Sequence, residues 1–191
     1  MIVGVKEQML QVLGSNETRR IHFSFRGTSG AQITVDQSSF RRVATAISND
    51  QISIAEGRFS SDIAMYSAFA DSSSNSAANT FYLGRNPRWS RTFNALIVHE
   101  SVHASFDLTR TSIRWIDNEA AAYIAQGYYL RNSGYSRYRL ELGSETSIGY
   151  LMVNEIIAGG DADYFLNALR DSLNSSPQYH SYIRGTFTGD G

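Results

Sequence analysis

Residues 96–104 read Leu-Ile-Val-His-Glu-Ser-Val-His-Ala and contain the pattern H-E-x-x-H at positions 99–103. Bulky apolar residues precede the pattern, and the surrounding residues have helical spacing, so a helix is predicted over 92–106. Residues four apart lie on the same face of a helix, with Cβ atoms about 5–6 Å apart. The imidazoles of His99 and His103 can therefore reach one zinc ion together.

Glu100 follows the first histidine directly and points to the side of the two imidazoles. From there its carboxylate can contact a metal-bound water without itself being a ligand. This is the position that a general base needs in metal-assisted hydrolysis. The sequence therefore predicts a catalytic role for Glu100.

A third ligand is needed, because catalytic zinc usually has three protein ligands and one open position. The chain has no cysteine, so His, Asp and Glu are the available ligands. Glu119 is the strongest candidate, near the start of a second helix predicted over 117–130 with Asp117 as its N-cap. The alanines at 120–122 would let that helix lie close to its neighbour. Asp117 and Asp107 are substitutes, and Glu119 could instead be a first-turn carboxylate that interacts with the helix dipole.

Residues 96–125 resemble the gluzincin branch of the zincin metallopeptidases and are similar to small bacterial zincin-like domains. In gluzincins H-E-x-x-H lies on one helix and a Glu on a following helix completes the site. The resemblance implies that His99, His103 and Glu119 are zinc ligands and that Glu100 is the general base. Many gluzincins have an Asp four residues after the Glu ligand, where this chain has Tyr123. The metzincin pattern fails, because its third His would fall at Thr109.

Residues that support the metal or the transition state are harder to identify. Asp107, one turn after His103, is the predicted second-shell partner of that ring. Its alternative is an ordinary surface carboxylate paired with Arg110 or Arg114. Candidates for the oxyanion donor are Tyr123 and His180, followed by Tyr128, Tyr129 and Arg184. Aromatic residues are common in this chain, so the core is the commoner place for each of these side chains, and the catalytic role is the alternative.

The gluzincin resemblance also implies a strand that binds the substrate. In zincins an edge strand just before the active-site helix pairs with an extended peptide. Phe81, Tyr82 and Leu83 occupy that position here, in a strand predicted over 80–83. The alternative is an ordinary sheet strand, and the polar loop 71–79 could either border the cleft or simply connect two strands.

Periodicity along the rest of the chain predicts an α+β fold with one domain over residues 1–191. Strands are predicted at 20–25, 31–35, 52–55, 63–69 and 80–83, with a helix near the N-terminus and another ending at 47. Further helices are predicted at 146–157, 161–173 and 179–184, with a polar tail at 186–191. The resemblance implies a zincin-like arrangement, in which a small mixed or antiparallel sheet precedes a helical half.

Composition excludes several classes of protein. Charged residues make up 18% of the chain and the net charge is -1, which argues against a nucleic-acid partner. The chain has no apolar run of 18 residues, so no membrane span is predicted. No Sec-type signal peptide is visible, which indicates a cytoplasmic protein or one exported by another route.

Three functions remain open on the sequence alone. The first, which the resemblance implies, is a zinc metallopeptidase with Zn²⁺ as cofactor and a peptide or protein substrate. The second is a zinc amidohydrolase that acts on a non-peptide or cell-wall amide. The third is a catalytically inactive zincin-like module that works by interaction. Glu100 favours the first two, because metal binding alone does not require that carboxylate.

Overall fold

The first half of the chain alternates short helices and strands. The computed structural model describes residues 4–60, 62–85 and 89–191. The elements up to residue 84 are α1 (Val5–Leu13), α2 (Asn16–Arg19), β1 (Phe23–Arg26), β2 (Gln32–Val35), α3 (Gln37–Ser48), β3 (Ser53–Phe59), β4 (Ala64–Ser67) and β5 (Thr80–Gly84). The first residues of the helix predicted near the N-terminus lie outside the described residues.

The second half is mainly helical. Its elements are α4 (Arg91–Leu108), β6 (Ser112–Arg114), α5 (Trp115–Asn132), a short 3₁₀ helix (Arg137–Arg139), α6 (Glu145–Ala158), α7 (Asp163–Ser175) and β7 (Thr186–Thr188). The α+β class is therefore confirmed, with the sheets formed from short strands. Among the described residues, no helix is both long and apolar enough to span a membrane.

Within the part of the chain that the structure describes, the strands form three small sheets. β1 and β2 are an antiparallel hairpin, and β6 pairs antiparallel with β7. In the third sheet the order is β3-β5-β4, with β5 parallel to β3 and antiparallel to β4. The expectation that Phe81, Tyr82 and Leu83 form an edge strand is wrong, because β5 is paired on both sides. The edge strands of this sheet are β3 and β4, and β4 is the one that packs against α4.

Helices α4, α5 and α6 pack side by side and bury the apolar centre of the second half. Alanines 120–122 and Ala125 are completely buried, which lets α5 approach α4 closely. On the opposite side of α5, the backbones of α5 and α6 are in direct contact. A Cβ atom placed on Gly149 of α6 would lie 2.5 Å from the carbonyl oxygen of Tyr123. These contacts fix the position of α5, the helix that carries Glu119.

Three sequence-based expectations about secondary structure in the second half are wrong. Helix α5 begins at Trp115, directly after β6, so Asp117 lies in the first turn and is not the N-cap. The predicted helix over 179–184 is a series of turns, and the predicted polar tail contains β7. Phe187 in β7 is only 1% exposed. The pairing of β7 with β6 connects segments about 70 residues apart, which local patterns do not reveal.

Candidate metal centre

The two histidines of α4 face one carboxylate of α5. Helix α4 starts at a Ser90 cap, whose Oγ accepts a hydrogen bond from the Phe93 N–H. One turn apart on this helix, His99 and His103 are both buried. Glu119 Oε2 lies 3.6 Å from His99 Nε2 and 3.8 Å from His103 Nε2. Among the described residues, these three side chains form the group whose ligand atoms converge, all within 4.8 Å of one another.

The spacing of these atoms fits a metal ion better than a direct His–Glu contact. Both separations exceed the usual length of a hydrogen bond. Two ligand atoms at about 2.1 Å from a tetrahedral zinc ion lie about 3.4 Å apart. The observed separations are close to that value. Two imidazoles and one glutamate are also one of the ligand sets that catalytic zinc sites use.

Side-chain amides of α5 orient both imidazoles. His103 Nδ1 lies 2.8 Å from Asn118 Oδ1, and His99 Nδ1 lies 3.1 Å from Gln126 Oε1. An amide oxygen can only accept, so each Nδ1 donates its proton, and the tautomer of the neutral ring that this selects has its lone pair on Nε2, the atom that faces the group. Such outer hydrogen bonds fix the tautomer and the ring orientation that a ligating histidine needs.

Sequence reasoning missed Asn118 and Gln126 and predicted Asp107 in this role. The structure does not place Asp107 against His103. The Asp107 carboxylate instead accepts hydrogen bonds from the Tyr66 hydroxyl, at 2.6 Å, and from the Asp190 N–H, at 3.0 Å. The missed signal was the amides of Asn118 and Gln126, which share one face of a buried, alanine-rich helix with Glu119.

Glu100 lies beside the group and lines the same cleft. Its Oε2 accepts a hydrogen bond of 2.8 Å from the Tyr66 N–H in β4. Burial raises the pKa of Glu100 to about 7, and the Glu119 carboxylate acts in the same direction against the opposing effects of His103 and the Tyr66 N–H. A carboxylate with such a pKa can both accept and release a proton near neutral pH.

Glu119 has the opposite electrostatic setting. Burial alone would raise its pKa, but His103, His99 and the Tyr182 hydroxyl together hold the pKa of Glu119 below its ordinary value. The Tyr182 hydroxyl donates to Glu119 Oε1 at 3.1 Å, while Oε2 faces the histidines. Glu119 is therefore stabilised as a charged carboxylate, the form in which it would bind a metal. Tyr182 is a third residue that sequence reasoning missed, since it lies 63 residues from Glu119 along the chain.

None of the predicted oxyanion candidates is among the residues that line the cleft. Tyr123 packs its ring edge-on against His99, with 4.6 Å between ring centroids, and its hydroxyl bonds to that of Tyr179. His180 is exposed and does not line the cleft. The remaining candidates are also elsewhere: Tyr128 donates to the His22 carbonyl, Tyr129 accepts from Asn94, and Arg184 is exposed.

The substitute ligands are also engaged elsewhere. Asp117 Oδ1 accepts from Arg170 at 2.7 Å, and its Oδ2 accepts from the N–H and the hydroxyl of Thr28. Asp107 is held by Tyr66 and Asp190, as described above. Neither carboxylate belongs to the group whose ligand atoms converge.

A cleft of about 660 Å³ opens onto the group formed by His99, His103 and Glu119. Comparisons of the chain with models of known protein families, with curated proteins and with solved structures gave no match. The chemistry of the site itself is therefore the guide to function. Three converging ligand atoms and one adjacent carboxylate in an open cleft are suited to metal-assisted hydrolysis.

Proposed function

We propose that this protein is a zinc-dependent hydrolase of the zincin type that cleaves peptide bonds. The observation that carries the proposal is the convergence of His99, His103 and Glu119 with Glu100 beside them in one cleft. The H-E-x-x-H pattern supports it, because it places the two ligands and the base on one helical turn. The zincin-like arrangement of sheet and helices is part of the same proposal.

His99 and His103, through Nε2, and Glu119, through Oε2, would hold the metal ion. Zinc at such a site supplies Lewis acidity, which polarises a carbonyl group and lowers the pKa of water to about 7. The chain supplies the orientation: Asn118 and Gln126 hold the two rings, and Tyr182 holds the distal oxygen of Glu119. Because the three ligand atoms already converge and each side chain is held by a hydrogen bond, little movement is needed before binding.

Glu100 would move the proton. It takes a proton from the attacking water and then delivers it to the nitrogen of the leaving amine. The Tyr66 N–H holds Oε2 of this carboxylate in place, so the geometry of the base depends on β4. Positioned proton transfer of this kind typically contributes about 10²- to 10⁴-fold to a rate.

Strand β4 supports a peptide as the substrate. It is the edge of its sheet, and residues 64–67 line the cleft. The N–H of Tyr66 points at Glu100, so the unpaired side of the strand faces the site. An extended peptide can add to such an edge through main-chain hydrogen bonds. The role that the gluzincin resemblance assigned to residues 81–83 therefore passes to β4.

The test is a pair of isosteric substitutions in the zinc-loaded protein. Glu100→Gln should leave one zinc bound per chain and lower the rate of peptide hydrolysis by about 10²-fold or more. Glu141→Gln is the matched control, because Glu141 is exposed in the loop before α6 and should keep the wild-type rate. Unchanged hydrolysis in Glu100→Gln would reject the general-base assignment. A wild-type protein that binds zinc but cuts no peptide in a broad mixture would reject the peptidase.

A further inference from the structure

One side of the cleft is lined by a row of four aromatic rings, each in contact with the next. This row is here called the aromatic wall and consists of Phe69, Phe187, Trp115 and Tyr182. Ring centroids are 5.8 Å apart for Phe69 and Phe187, 4.9 Å for Phe187 and Trp115, and 4.8 Å for Trp115 and Tyr182. All four residues line the cleft. The rings are therefore packed against one another in a row, in which Phe187, only 1% exposed, supports its neighbours, and Phe69, Trp115 and Tyr182 present the accessible apolar area.

The inner end of the wall reaches the candidate metal centre. Tyr182 donates its hydroxyl to Glu119, and the Trp115 ring centroid is 6.4 Å from that of His103. At the outer end Phe69 is 41% exposed at the mouth of the cleft. A side chain that extends along the wall from its inner end would therefore belong to a residue next to the bond being cut.

The wall is held by the pairing of β6 and β7. Phe187 lies in β7, opposite Ile113. Trp115 follows β6 directly, and its main-chain N–H donates to the Gly185 carbonyl at 3.2 Å. Rings fixed in this way present a preformed surface, so little side-chain freedom is lost when a ligand binds.

The mouth of the cleft carries a second exposed apolar side chain. Ile63 is 44% exposed just before β4, and Phe69 follows the same strand, so the two bracket the edge to which a peptide would add. Both residues line the cleft. Exposed apolar groups that border a cleft with a few converging polar groups are typical of ligand-binding sites.

We propose that the aromatic wall is a binding subsite for a bulky apolar side chain of the substrate, adjacent to the scissile bond. The inference rests on the proposed peptidase function and adds the substrate class: peptides with Phe, Tyr, Trp, Leu or Met beside the cut. Burial of such a side chain in place of Ala favours the complex by about 10- to 100-fold in kcat/KM. An acidic side chain would instead lose its hydration against the rings and approach the carboxylates of Glu100 and Glu119.

The first experiment digests a peptide library with the zinc-loaded protein and maps the cuts by mass spectrometry. The expected result is a strong enrichment of bulky apolar residues at one position beside the cut. Equal use of Ala, acidic and apolar residues there, or a preference for Lys and Arg, would overturn the inference while leaving the peptidase in place.

The second experiment changes the wall at its exposed end. Phe69→Ala should reduce the ratio of kcat/KM between a Phe peptide and the matching Ala peptide by about 3- to 10-fold. Tyr164→Ala is the control, because Tyr164 is an aromatic residue of α7 that is 73% exposed and does not line the cleft. An unchanged ratio in Phe69→Ala, or an equal change in both variants, would contradict the subsite.

A binding measurement separates the wall from catalysis. Zinc-loaded Glu100→Gln protein is titrated with acetyl-Gly-Phe-amide or acetyl-Gly-Ala-amide, and the indole N–H signal of Trp115 is followed by NMR. The chain has two tryptophans, so Trp89→Phe assigns the signal. A shift with the Phe compound at concentrations where the Ala compound gives none supports the subsite even if no peptide is hydrolysed. Equal responses, or none, would overturn it.

Discussion

Removal of the Asn118 side chain should weaken zinc binding without removing any proposed ligand. Asn118 is completely buried, and its Oδ1 accepts the Nδ1 proton of His103 at 2.8 Å. In Asn118→Ala the N–H is left unpaired whenever His103 holds its metal-binding orientation, which costs about 1–3 kcal/mol. In the zinc-free protein no metal holds the ring in that orientation, so the cost falls mainly on the zinc-bound form. Zinc affinity should therefore fall by about 10- to 100-fold, in the range of other outer-shell substitutions.

The assay is a competition titration of the metal-free protein against a chromophoric zinc chelator. Asn94→Ala is the matched control: Asn94 also carries a largely buried amide, which donates to the Tyr129 hydroxyl at 3.2 Å, but it contacts neither histidine. Urea denaturation of both metal-free variants verifies that each is folded. Wild-type affinity in folded Asn118→Ala, or an equal loss in Asn94→Ala, would refute the orientation of His103 by Asn118.

Two further predictions concern the framework around the site. Gly149→Ala should lower the free energy of unfolding by about 1–3 kcal/mol, because the added Cβ would meet backbone atoms of α5. Gly160→Ala is the control, because a Cβ there would meet the flexible Glu155 carboxylate, and the free energy of unfolding should change little. A stabilised Gly149→Ala protein, as helix propensity alone predicts, would argue against the close contact of α5 and α6. Asp117→Ala should lower the free energy of unfolding by about 3–5 kcal/mol, because it leaves the guanidinium of Arg170 without its buried partner. Lys6→Ala, which breaks the exposed pair with Asp50, should lower the same free energy by less than about 1 kcal/mol. Equal losses in urea denaturation would contradict that difference.

The helices of the second half were largely predictable from the sequence, because helical hydrogen bonds and apolar periodicity are local. The pattern around His99 and the alanines that follow Glu119 located both ends of α4 and of α5 to within about two residues. The strands were less predictable. β6 and β7 have three residues each and are stabilised by pairing with one another. The central position of β5 depends on its pairing with β3 on one side and β4 on the other, which the residues of β5 alone do not indicate.

The same distinction applies to the site. The spacing of His99 and His103 is set by one helical turn, so the sequence alone places them together. The hydroxyl of Tyr182 reaches Glu119 only because the C-terminal segment returns to the cleft, and no local pattern indicates that contact. Asp107 has the expected helical offset from His103, but its carboxylate is taken by donors from β4 and from the C-terminal segment. The site residues that the sequence did not predict correctly are therefore the ones whose partners come from distant parts of the chain.

The most direct test of the metal centre is the zinc content of the purified protein after equilibration with zinc and removal of excess metal. The account predicts one zinc per chain in the wild type, and loss of that zinc in Glu119→Ala, which removes one of three ligands. Glu145→Ala is the control, since the Glu145 carboxylate accepts from Ser172 and lies outside the group whose ligand atoms converge. A wild-type protein without zinc, or a Glu119→Ala protein that retains one zinc with unchanged affinity, would contradict the account.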